Sequence, residues 1–377
     1  MTYAGERVIH DADAHIMETA EWLVPYADPG MRDRVLIDGA PTRASVERDL
    51  DRSHSTDDVL LRKNYLAIGG LLADDRPAAL DELGFRSQLV FNTYLSGAIT
   101  RAEQDGDFER TYAMAEAHNR AMLEFCSVDE RLLSTLVVPL GDLDRAPRLA
   151  QQAIADGASA LLVASAPPGH SPSHVALDGV WGAAAEARIP VVMHVGGGGR
   201  LLDPAYFENG LPPVKDFHGG DGNFKSVDYM AIPYPVMQTL SVLVIDGVLQ
   251  RHPDLRIGVI EQGASWLPGL MKSLDSAATA FVRNEERLQR MELKPSEYVR
   301  RQVRVTPYPH EDAGWVVGQA GEETCMFSSD YPHVEGGRNP LKRFDQSLVG
   351  LSERAVQRFY ADNMVDLMGA GLPAALV

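Results

Sequence analysis

Short runs of apolar, β-branched residues recur along the chain, and the stretches between them carry apolar residues at helical spacing. An alternation of this kind predicts a parallel sheet covered by helices. Eight such runs can be counted: Arg7–His15, Ser87–Tyr94, Leu132–Pro139, Ala160–Ala164, Pro190–Val195, Leu255–Glu261, Gln302–Thr306 and Thr324–Asp330. This number predicts an α/β fold of the closed (β/α)8 type, the TIM barrel.

The segments between the runs predict helices that would cover the sheet. The clearest, Asp142–Asp156, opens with acidic residues and ends before Gly157, a residue that commonly stops helices. Others are predicted at Asp107–Cys126, Trp181–Ala187, Val236–Gln250, Trp266–Val282 and Leu351–Tyr360. An open, doubly wound sheet would need a glycine-rich turn after the first strand, but the sequence there is DADAHIME. We therefore expect a single barrel domain over residues 1–377.

Two connections are too long to be simple loops, and both are expected to be insertions in the barrel. Residues 21–85 follow the first strand and residues 200–235 follow the fifth, so both would project from the active face. The first is expected to be a lid or an assembly arm. The second contains six aromatic residues. It either packs a small core of its own or, in the preferred interpretation, forms the wall and roof of a substrate pocket.

Polar residues at the end of the first predicted strand suggest metal chemistry. Asp11, Asp13 and His15 are spaced by two, so they share one face of a strand. A charged side chain on an interior wall is costly unless it is paired or bound to a cation, and divalent metals bind a carboxylate together with an imidazole. Taken alone, Asp13 and His15 are better explained as solvated polar residues at the end of a strand.

Two other strand ends make a metal site the better explanation. His194 closes the run VVMH, and Asp330 closes the run MFSSD. With the strands numbered as above, Asp13, His15, His194 and Asp330 come from strands one, five and eight and point into the same mouth of the barrel. The joint pattern is more specific than any of its members.

These motifs resemble those of the amidohydrolase superfamily of metal-dependent hydrolases. The closer resemblance is to the branch that includes aminocarboxymuconate semialdehyde decarboxylase and the aromatic-acid decarboxylases. It covers residues 8 to 369, and it is carried by DADAHIME, VVMH, RHPDLRIGVIEQGASWLP, QVRVTPYP, FSSDYPHVEGGRNP and FYADN. The resemblance implies one divalent metal ion, zinc in preference to manganese, bound by Asp13, His15, His194 and Asp330.

One position departs from the decarboxylases of this branch. They have a histidine at the end of strand six that takes part in acid–base chemistry, whereas this chain has Glu261. Glu261 could be a further metal ligand, a general acid or base, or a partner that orients a ligand histidine, with a structural salt bridge as the alternative. The difference counts against a direct transfer of decarboxylase activity.

Three further residues are predicted to bind substrate. His333 follows Asp330 by three residues, His218 lies in the aromatic insertion, and Trp266 lies just after strand six. A solvated loop histidine is the alternative for both histidines. Gly196–Gly199 lacks the Lys-Ser/Thr ending of a phosphate-binding loop, and Ser265 does not complete the nucleophile motif of serine hydrolases.

The preferred function is hydrolysis of a C–N or C–O bond in a small, cyclic or aromatic substrate. A metal-bound water would attack the substrate, and Asp330 would take its proton and pass it to the leaving group. The alternative is non-oxidative decarboxylation of an aromatic or unsaturated carboxylic acid, in which Asp330 or Glu261 protonates the carbon that loses carbon dioxide. Hydration of a double bond and a barrel that only binds or assembles are less favoured.

Composition and charge limit the partners and the compartment. The net charge is −18, from 53 acidic and 35 basic residues, which argues against nucleic acid and against an anionic membrane surface. We expect no membrane-spanning segment, because no apolar run approaches eighteen residues. Cys126 and Cys325 are the two cysteines, and the amino end has no secretory pattern, so a cytoplasmic protein without disulfides is expected. A homodimer or higher homo-oligomer acting on a small molecule is predicted.

Overall fold

A parallel β-sheet forms the centre of the molecule. The computed structural model describes residues 2–50, 59–166, 169–198, 202–212 and 226–377. Its strands are β1 (His10–His15), β2 (Ser87–Phe91), β3 (Leu132–Val137), β4 (Ala160–Leu162), β5 (Val191–His194), β6 (Ile257–Ile260) and β7 (Val303–Val305). The seven strands pair in chain order, and each pair is parallel. The sequence therefore predicted the class of fold and the position of these strands correctly, although each strand is shorter than its apolar run.

The eighth predicted strand, Thr324–Asp330, does not form a regular strand. Isolated bridges join Cys325 of this segment to Val305 of β7, and Tyr331, the next residue after it, to Ala14 of β1. Two of the segment's backbone amides donate hydrogen bonds to groups that do not belong to a neighbouring strand backbone. Phe327 N–H donates to the Phe359 carbonyl at 2.8 Å, and Ser329 N–H donates to Asp11 Oδ1 at 2.7 Å. These two bonds are the physical reason why an apolar run at this position lacks the regular pairing of a strand.

Helices pack against the sheet and connect its strands. They are α1 (Arg43–Leu50), α2 (Arg76–Leu83), α3 (Leu95–Gln104), α4 (Phe108–Cys126), α5 (Arg145–Ala155), α6 (Asp178–Ala187), α7 (Ser226–Ala231), α8 (Tyr234–Ile245), α9 (Val248–Arg251), α10 (Leu267–Phe281), α11 (Glu286–Gln289), α12 (Pro295–Gln302), α13 (Ala313–Ala320), α14 (Pro340–Ser347), α15 (Glu353–Gln357) and α16 (Asn363–Met368). As far as the structure describes the chain, no helix is long and apolar enough to cross a membrane.

Two predicted helices are divided in the structure. The helix expected over Val236–Gln250 is split into α8 and α9, because Gly247 adopts a left-handed backbone with φ of +79°. The helix expected over Leu351–Tyr360 is α15, followed by a π-helical turn at Arg358–Asp362. The carbonyl of Phe359 in this turn accepts the amide of Phe327, so the irregular turn and the irregular eighth segment are joined.

The strands are apolar on both faces because both faces are buried. Val191 and Met193 of β5 pack in one hydrophobic cluster with the surrounding helices, whereas Val192 between them packs in a second cluster with Leu162. Such two-sided burial is typical of parallel sheets. The alternation also positions the last residue of β5, because His194 follows Val192 by two residues and shares its face.

Candidate metal centre

The polar residues singled out by the sequence lie where strands end. His15 is the last residue of β1, His194 is the last residue of β5, and Glu261 directly follows β6. Asp330 ends the irregular eighth segment, where its amide donates to the Asp13 carbonyl at 3.0 Å. The strands are parallel and sequential in the sheet, so their carboxyl ends bring these side chains to one edge.

The side chains form two overlapping groups whose potential ligand atoms lie within 4.8 Å of one another: Asp13, His15, His194 and Glu261, and His15, Glu261, Asp330 and His333. His15 Nε2 lies 3.2 Å from Asp13 Oδ1 and 3.6 Å from Asp330 Oδ1. His194 Nε2 lies 3.4 Å from Asp13 Oδ1 and 3.2 Å from Glu261 Oε2. The four sequence-predicted ligands thus meet, but Glu261 rather than Asp330 shares the first group with Asp13 and His194.

Both imidazoles are held with Nε2 towards the centre of the site. His15 Nδ1 lies 3.0 Å from the carbonyl of Asn92, and His194 Nδ1 lies 3.0 Å from the carbonyl of Val195. A carbonyl can only accept, so Nδ1 carries the proton in each ring. In the neutral ring the Nε2 lone pair then faces the carboxylates, which is the tautomer that a metal-binding histidine requires.

The atoms that face one another in the site lack ordinary hydrogen bonds. Among the described residues, both carboxylate oxygens of Asp13 and the Nε2 atoms of His15 and His194 are buried without a hydrogen-bond partner. Buried polar atoms are nearly always satisfied, and a set left open around one point needs an explanation. A divalent cation provides one, because it would bind oxygen and nitrogen lone pairs that have no donor to accept from.

The charge balance of the site also fits a cation. Burial alone would raise the pKa of Asp13, but His15 and His194 outweigh it and hold that pKa well below its usual range. Burial raises the pKa of Asp330 well above its ordinary value, and the charge of Glu261 adds to the effect. Burial would lower the pKa of His194, yet the nearby Asp13 and Glu261 raise it strongly. Three acidic groups, Asp13, Glu261 and Asp330, therefore lie in one buried site, and a bound cation would reduce the repulsion between them.

Asp330 also contacts a histidine, His333. His333 Nδ1 lies 3.0 Å from Asp330 Oδ1, and His333 Nε2 lies 2.9 Å from the hydroxyl of Thr93. The Thr93 hydroxyl donates to the Ile16 carbonyl at 2.7 Å, so it accepts from His333 Nε2–H. Because its proton is on Nε2, His333 can accept a hydrogen bond at Nδ1 from the protonated Asp330 carboxyl group.

Hydrogen bonds to its backbone fix the position of Glu261. Its φ is +51°, one of four positive values at non-glycine residues in the described chain, and Asp330 has another at +52°. The Thr306 hydroxyl accepts the Glu261 amide at 2.8 Å, and the Tyr308 hydroxyl donates to the Glu261 carbonyl at 2.7 Å. Left-handed backbone at a large residue is unfavourable and persists where surrounding contacts impose it, often at functional sites.

Asp11 is absent from both groups, although the spacing of the first strand placed it beside Asp13. The pairing of β1 with β2 shifts register between Asp11 and Ala14, so the simple alternation of faces fails there. The Asp11 carboxylate instead accepts from Gln88 Nε2 at 2.8 Å and from the Ser329 hydroxyl at 2.6 Å. It ties the first two strands to the eighth segment.

A cavity of about 520 Å³ opens onto the site. Its lining includes His15, His194, Glu261 and His333, so His333 lies where a substrate-binding residue is expected. Asp38 of the first predicted insertion also lines it. Thr93 and Tyr94 of the β2–α3 connection and Ser96 and Gly97 of α3 also line it, and none of them was predicted as a site residue. Their signal was available, since the run SQLVFNTY ends there by the same strand-end rule.

Trp266, another predicted substrate-binding residue, lies away from the cavity. Trp266 is half-buried against the hydrophobic core, and its indole donates to the carbonyl of Gly263 at 2.9 Å. It is not one of the described residues that line the cavity. His218 lies outside the described residues, and its role stays a prediction.

Solved structures with the same fold cover nearly the whole chain. An amidohydrolase from Mycobacterium avium subsp. paratuberculosis K-10 is 25% identical, with a TM-score of 0.77 over 97% of this chain and 100% of that one. A 5-carboxyvanillate decarboxylase from Novosphingobium aromaticivorans DSM 12444, bound to manganese and 3-methoxy-4-hydroxy-5-nitrobenzoic acid, is 19% identical, with a TM-score of 0.66 over 97% and 99% of the two chains. A 2,6-dihydroxybenzoate decarboxylase from Rhizobium is 16% identical, with a TM-score of 0.59 over 96% and 98%.

These neighbours correct the expected reaction. Hydrolysis of a C–N or C–O bond was expected from the sequence, partly because Glu261 replaces a histidine of the decarboxylases. The neighbours above that are named for a substrate are decarboxylases, so the hydrolytic expectation is wrong. The replacement of one histidine was too weak a ground for preferring hydrolysis.

The sequence profile of the amidohydrolase family matches residues 11–367. The match runs from β1 to α16, so it includes every strand and all the side chains of the two groups described above. None of the curated proteins matches the chain. The agreement of the profile, the fold and the strand-end residues shows that this chain belongs to the amidohydrolase family.

Proposed function

We propose that this protein is a metal-dependent, non-oxidative decarboxylase of a small aromatic or unsaturated carboxylic acid. One observation carries the proposal: a buried carboxyl group, Asp330, lies beside a set of carboxylates and imidazoles whose facing atoms have no other partner. Such a site combines a place for a cation with a group that can hold a proton. The activities of the structural neighbours support the same reaction.

The proposed ligands are Asp13, His15, His194 and Glu261, with Asp330 at the border of the same centre. A divalent ion bound there would supply a Lewis acid that draws negative charge from a carboxylate or a neighbouring oxygen. Glu261 is added as a ligand because its Oε2 lies 3.2 Å from His194 Nε2 and 3.9 Å from His15 Nε2. Glu261→Gln should therefore lower metal content more than it changes the pH profile of the loaded enzyme.

Manganese and zinc are both compatible with this donor set. Carboxylate oxygens suit manganese, imidazole nitrogens suit zinc, and the site offers both. The manganese in the 5-carboxyvanillate decarboxylase supports manganese here, in contrast to the earlier preference for zinc. Reconstitution of the metal-free protein with each ion, followed by assay of carbon dioxide release, distinguishes the two.

Asp330 is the proposed proton carrier. Its carboxyl group gives a proton to the carbon that bears the departing carboxylate, the bond between that carbon and the carboxylate breaks, and the bonding electrons return to the substrate as carbon dioxide leaves. His333 Nδ1, 3.0 Å from Asp330 Oδ1, holds the Asp330 carboxyl in position, and after the transfer it takes a proton from solvent and passes it to the Asp330 carboxylate. Thr93 keeps His333 in the required tautomer.

The test is turnover of substituted benzoic acids by the metal-loaded protein in deuterium oxide. We expect release of carbon dioxide and one deuterium on the carbon that lost it. The same reactions in water labelled with ¹⁸O provide the control for hydrolysis. Product that carries solvent oxygen, formed without carbon dioxide, would contradict the proposal.

We also propose a homodimer or higher homo-oligomer in the cytoplasm. Tyr206, Leu211 and Met230 of the second predicted insertion are 72%, 72% and 63% exposed, which supports its use in assembly. Cys126 and Cys325 are buried and free, as expected in a reducing compartment. Light scattering at micromolar concentration tests the assembly, and a monomer under these conditions would contradict it.

A further inference from the structure

A buried carboxyl group holds the connection that leads from β2 into α3. Glu18 follows His15 by three residues and is 1% exposed. Its Oε1 accepts the backbone amides of Thr93, Tyr94 and Leu95 at 3.0, 2.7 and 2.9 Å, and its Oε2 accepts the Thr93 amide at 2.9 Å. Three successive amides of one connection are thus bound by a single side chain.

Formation of α3 alone does not explain this use of a glutamate. Residue 94 is the cap position of the helix, where Ser, Thr, Asp or Asn would bind a free amide locally. The chain instead has Tyr94, which makes no side-chain cap bond and lines the cavity. Burial raises the pKa of Glu18 to about 7, although the amides act to lower it, so the arrangement is costly. A costly buried acid in place of a local cap requires a further reason.

Thr93 connects this carboxyl group to the candidate site. Its amide is bound by Glu18, while its hydroxyl donates to the Ile16 carbonyl at 2.7 Å and accepts from His333 Nε2 at 2.9 Å. The other ring nitrogen of His333, Nδ1, lies 3.0 Å from Asp330 Oδ1. A continuous series of contacts therefore runs from Glu18 through Thr93 and His333 to the proposed proton carrier.

We infer that Glu18 is a positioning residue for proton transfer, because it holds the Thr93 hydroxyl where that hydroxyl accepts from His333 Nε2–H. Without this acceptor, the neutral ring can carry its proton on either nitrogen. A proton on Nδ1 would remove the lone pair that accepts from the Asp330 carboxyl group. The inference rests on the proposed function for the role of Asp330. Glu18 acts through Thr93 and touches no reacting atom.

The first test measures the tautomer of His333 without turnover. Protein labelled with ¹⁵N in histidine is loaded with zinc, which is diamagnetic, and long-range N–H correlations show which ring nitrogen carries the proton. His333→Gln identifies the His333 signals by their loss. At about pH 8, where Glu18 is a carboxylate, the wild type should carry the proton on Nε2. Glu18→Met keeps the side-chain length but accepts no amide, so it should show a mixture of tautomers.

The rate of carbon dioxide release provides the second measurement. It should fall by about 10- to 100-fold in Glu18→Met, the usual loss when a supporting partner of a site is removed. Glu18→Gln keeps an oxygen that can accept amides, so it should restore part of the rate and of the wild-type tautomer. Glu103→Met is the matched control, because Glu103 is 3% exposed and accepts the Gly141 amide, outside this series of contacts. It should keep both.

Thr93→Val tests the route from Glu18 to His333. Valine keeps the branched shape but has no hydroxyl, so this variant alone should lower the rate and mix the tautomers. Addition of Glu18→Met should then lower the rate little further, because both changes break the same contact. A general loss of packing would make the two effects multiply instead. If Glu18→Met does not fold, Glu18→Gln takes its place in each comparison.

An Nε2–H tautomer that is unchanged in the Glu18 variants would overturn the inference, as would a wild-type ring protonated on Nδ1. Rate losses that multiply in the double variant, or a mixed tautomer with a wild-type rate, would also overturn it. The tautomer separates this inference from the proposed function. A His333 tautomer that depends on Glu18, in a protein that decarboxylates no acid, would support Glu18 as the residue that sets the tautomer and contradict the proposed decarboxylation.

Discussion

At the scale of single residues, the chemistry of each histidine in the site depends on the hydrogen bond that its other ring nitrogen makes outside the site. His15 and His194 each donate Nδ1–H to a backbone carbonyl, and His333 donates Nε2–H to Thr93. The remaining nitrogens face carboxylates. Tautomers set by the backbone thus turn ordinary strand-end histidines into two candidate ligands and one proton partner of Asp330.

Asp330→Asn tests the proton carrier. Asparagine keeps the size and one oxygen but cannot carry the proton, so the rate of carbon dioxide release should fall by about 10² or more. Most of the metal should be retained, because Asp13, His15, His194 and Glu261 remain. Rate and metal content are measured on the same preparation, with Asp345→Asn as the control, which removes the carboxylate paired with Arg7. Near-wild-type turnover in Asp330→Asn would exclude this role.

Glu103→Gln tests a buried carboxyl outside the site. Burial raises the pKa of Glu103 to about 7, and its carboxyl group accepts the Gly141 amide at 2.9 Å. Because the folded pKa is raised, this group stabilises the protein below its unfolded pKa and loses that contribution as pH rises towards 7. The stability of Glu103→Gln relative to the wild type should therefore increase by about 1–3 kcal/mol between pH 4.5 and 7.5. Urea denaturation of both proteins across this range measures it, and a constant difference would contradict the raised pKa.

At the scale of elements, strand ends bring the chemistry together and close packing holds the strands in place. β5 and β6 pair residue by residue, from Val191 with Ile257 to His194 with Ile260, so their last residues lie side by side. Glu261 directly follows this pair. Displacement of β6 would move Glu261 relative to His194, which links the packing of the strand to the site.

Gly258→Ala tests this packing. A Cβ at residue 258 of β6 would lie 2.9 Å from Val192 Cγ1 and 3.1 Å from Leu367 Cδ2, so neighbouring side chains must move. We expect a loss of about 1–3 kcal/mol in the free energy of unfolding, measured by urea denaturation. Gly269→Ala in α10 is the matched control, because its Cβ would meet nothing within 4 Å, and it should be neutral or stabilising. Equal stability of the two variants would show that β6 has room to adjust.

At the scale of the whole molecule, the candidate metal centre joins parts of the chain that are distant in sequence. Asp13 and Asp330 lie near opposite ends of the chain, yet the Asp330 amide donates to the Asp13 carbonyl. The eighth segment that carries Asp330 also contacts β7 and β1 through single bridges. A cation bound by the first and later strands would therefore stabilise the fold as well as the site.

Metal removal should lower the melting temperature. An ion that binds the folded state alone, at a hundredfold excess over its dissociation constant, stabilises a protein by about 2.7 kcal/mol. Exhaustive chelation should thus lower Tm by several degrees, and manganese or zinc should restore it. Asp13→Asn should show a much weaker response to added metal. Scanning calorimetry with elemental analysis checks this, and an unchanged Tm in protein shown to be metal-free would contradict it.

The sequence by itself determined the class of fold and most of the candidate site. Continuous apolar runs specify strands buried on both faces, and such strands are covered by helices in a parallel sheet. A polar residue at the end of such a run has few alternatives, because the carboxyl ends of parallel strands meet at one edge. His15, His194 and Asp330 could be assigned by this rule, and the family followed from the same motifs.

Only the tertiary structure decided what depends on contacts between distant segments. The irregular eighth segment arises because Phe359 and Asp11 take the amides of Phe327 and Ser329, and no local pattern encodes those partners. Glu261 enters the first ligand group because Thr306 and Tyr308 hold its backbone in a left-handed conformation. Asp38 lines the cavity, and Arg110 of α4 binds its carboxylate from a distant part of the chain. Periodicity records which face of an element is buried, whereas these features depend on which side chains meet across the fold.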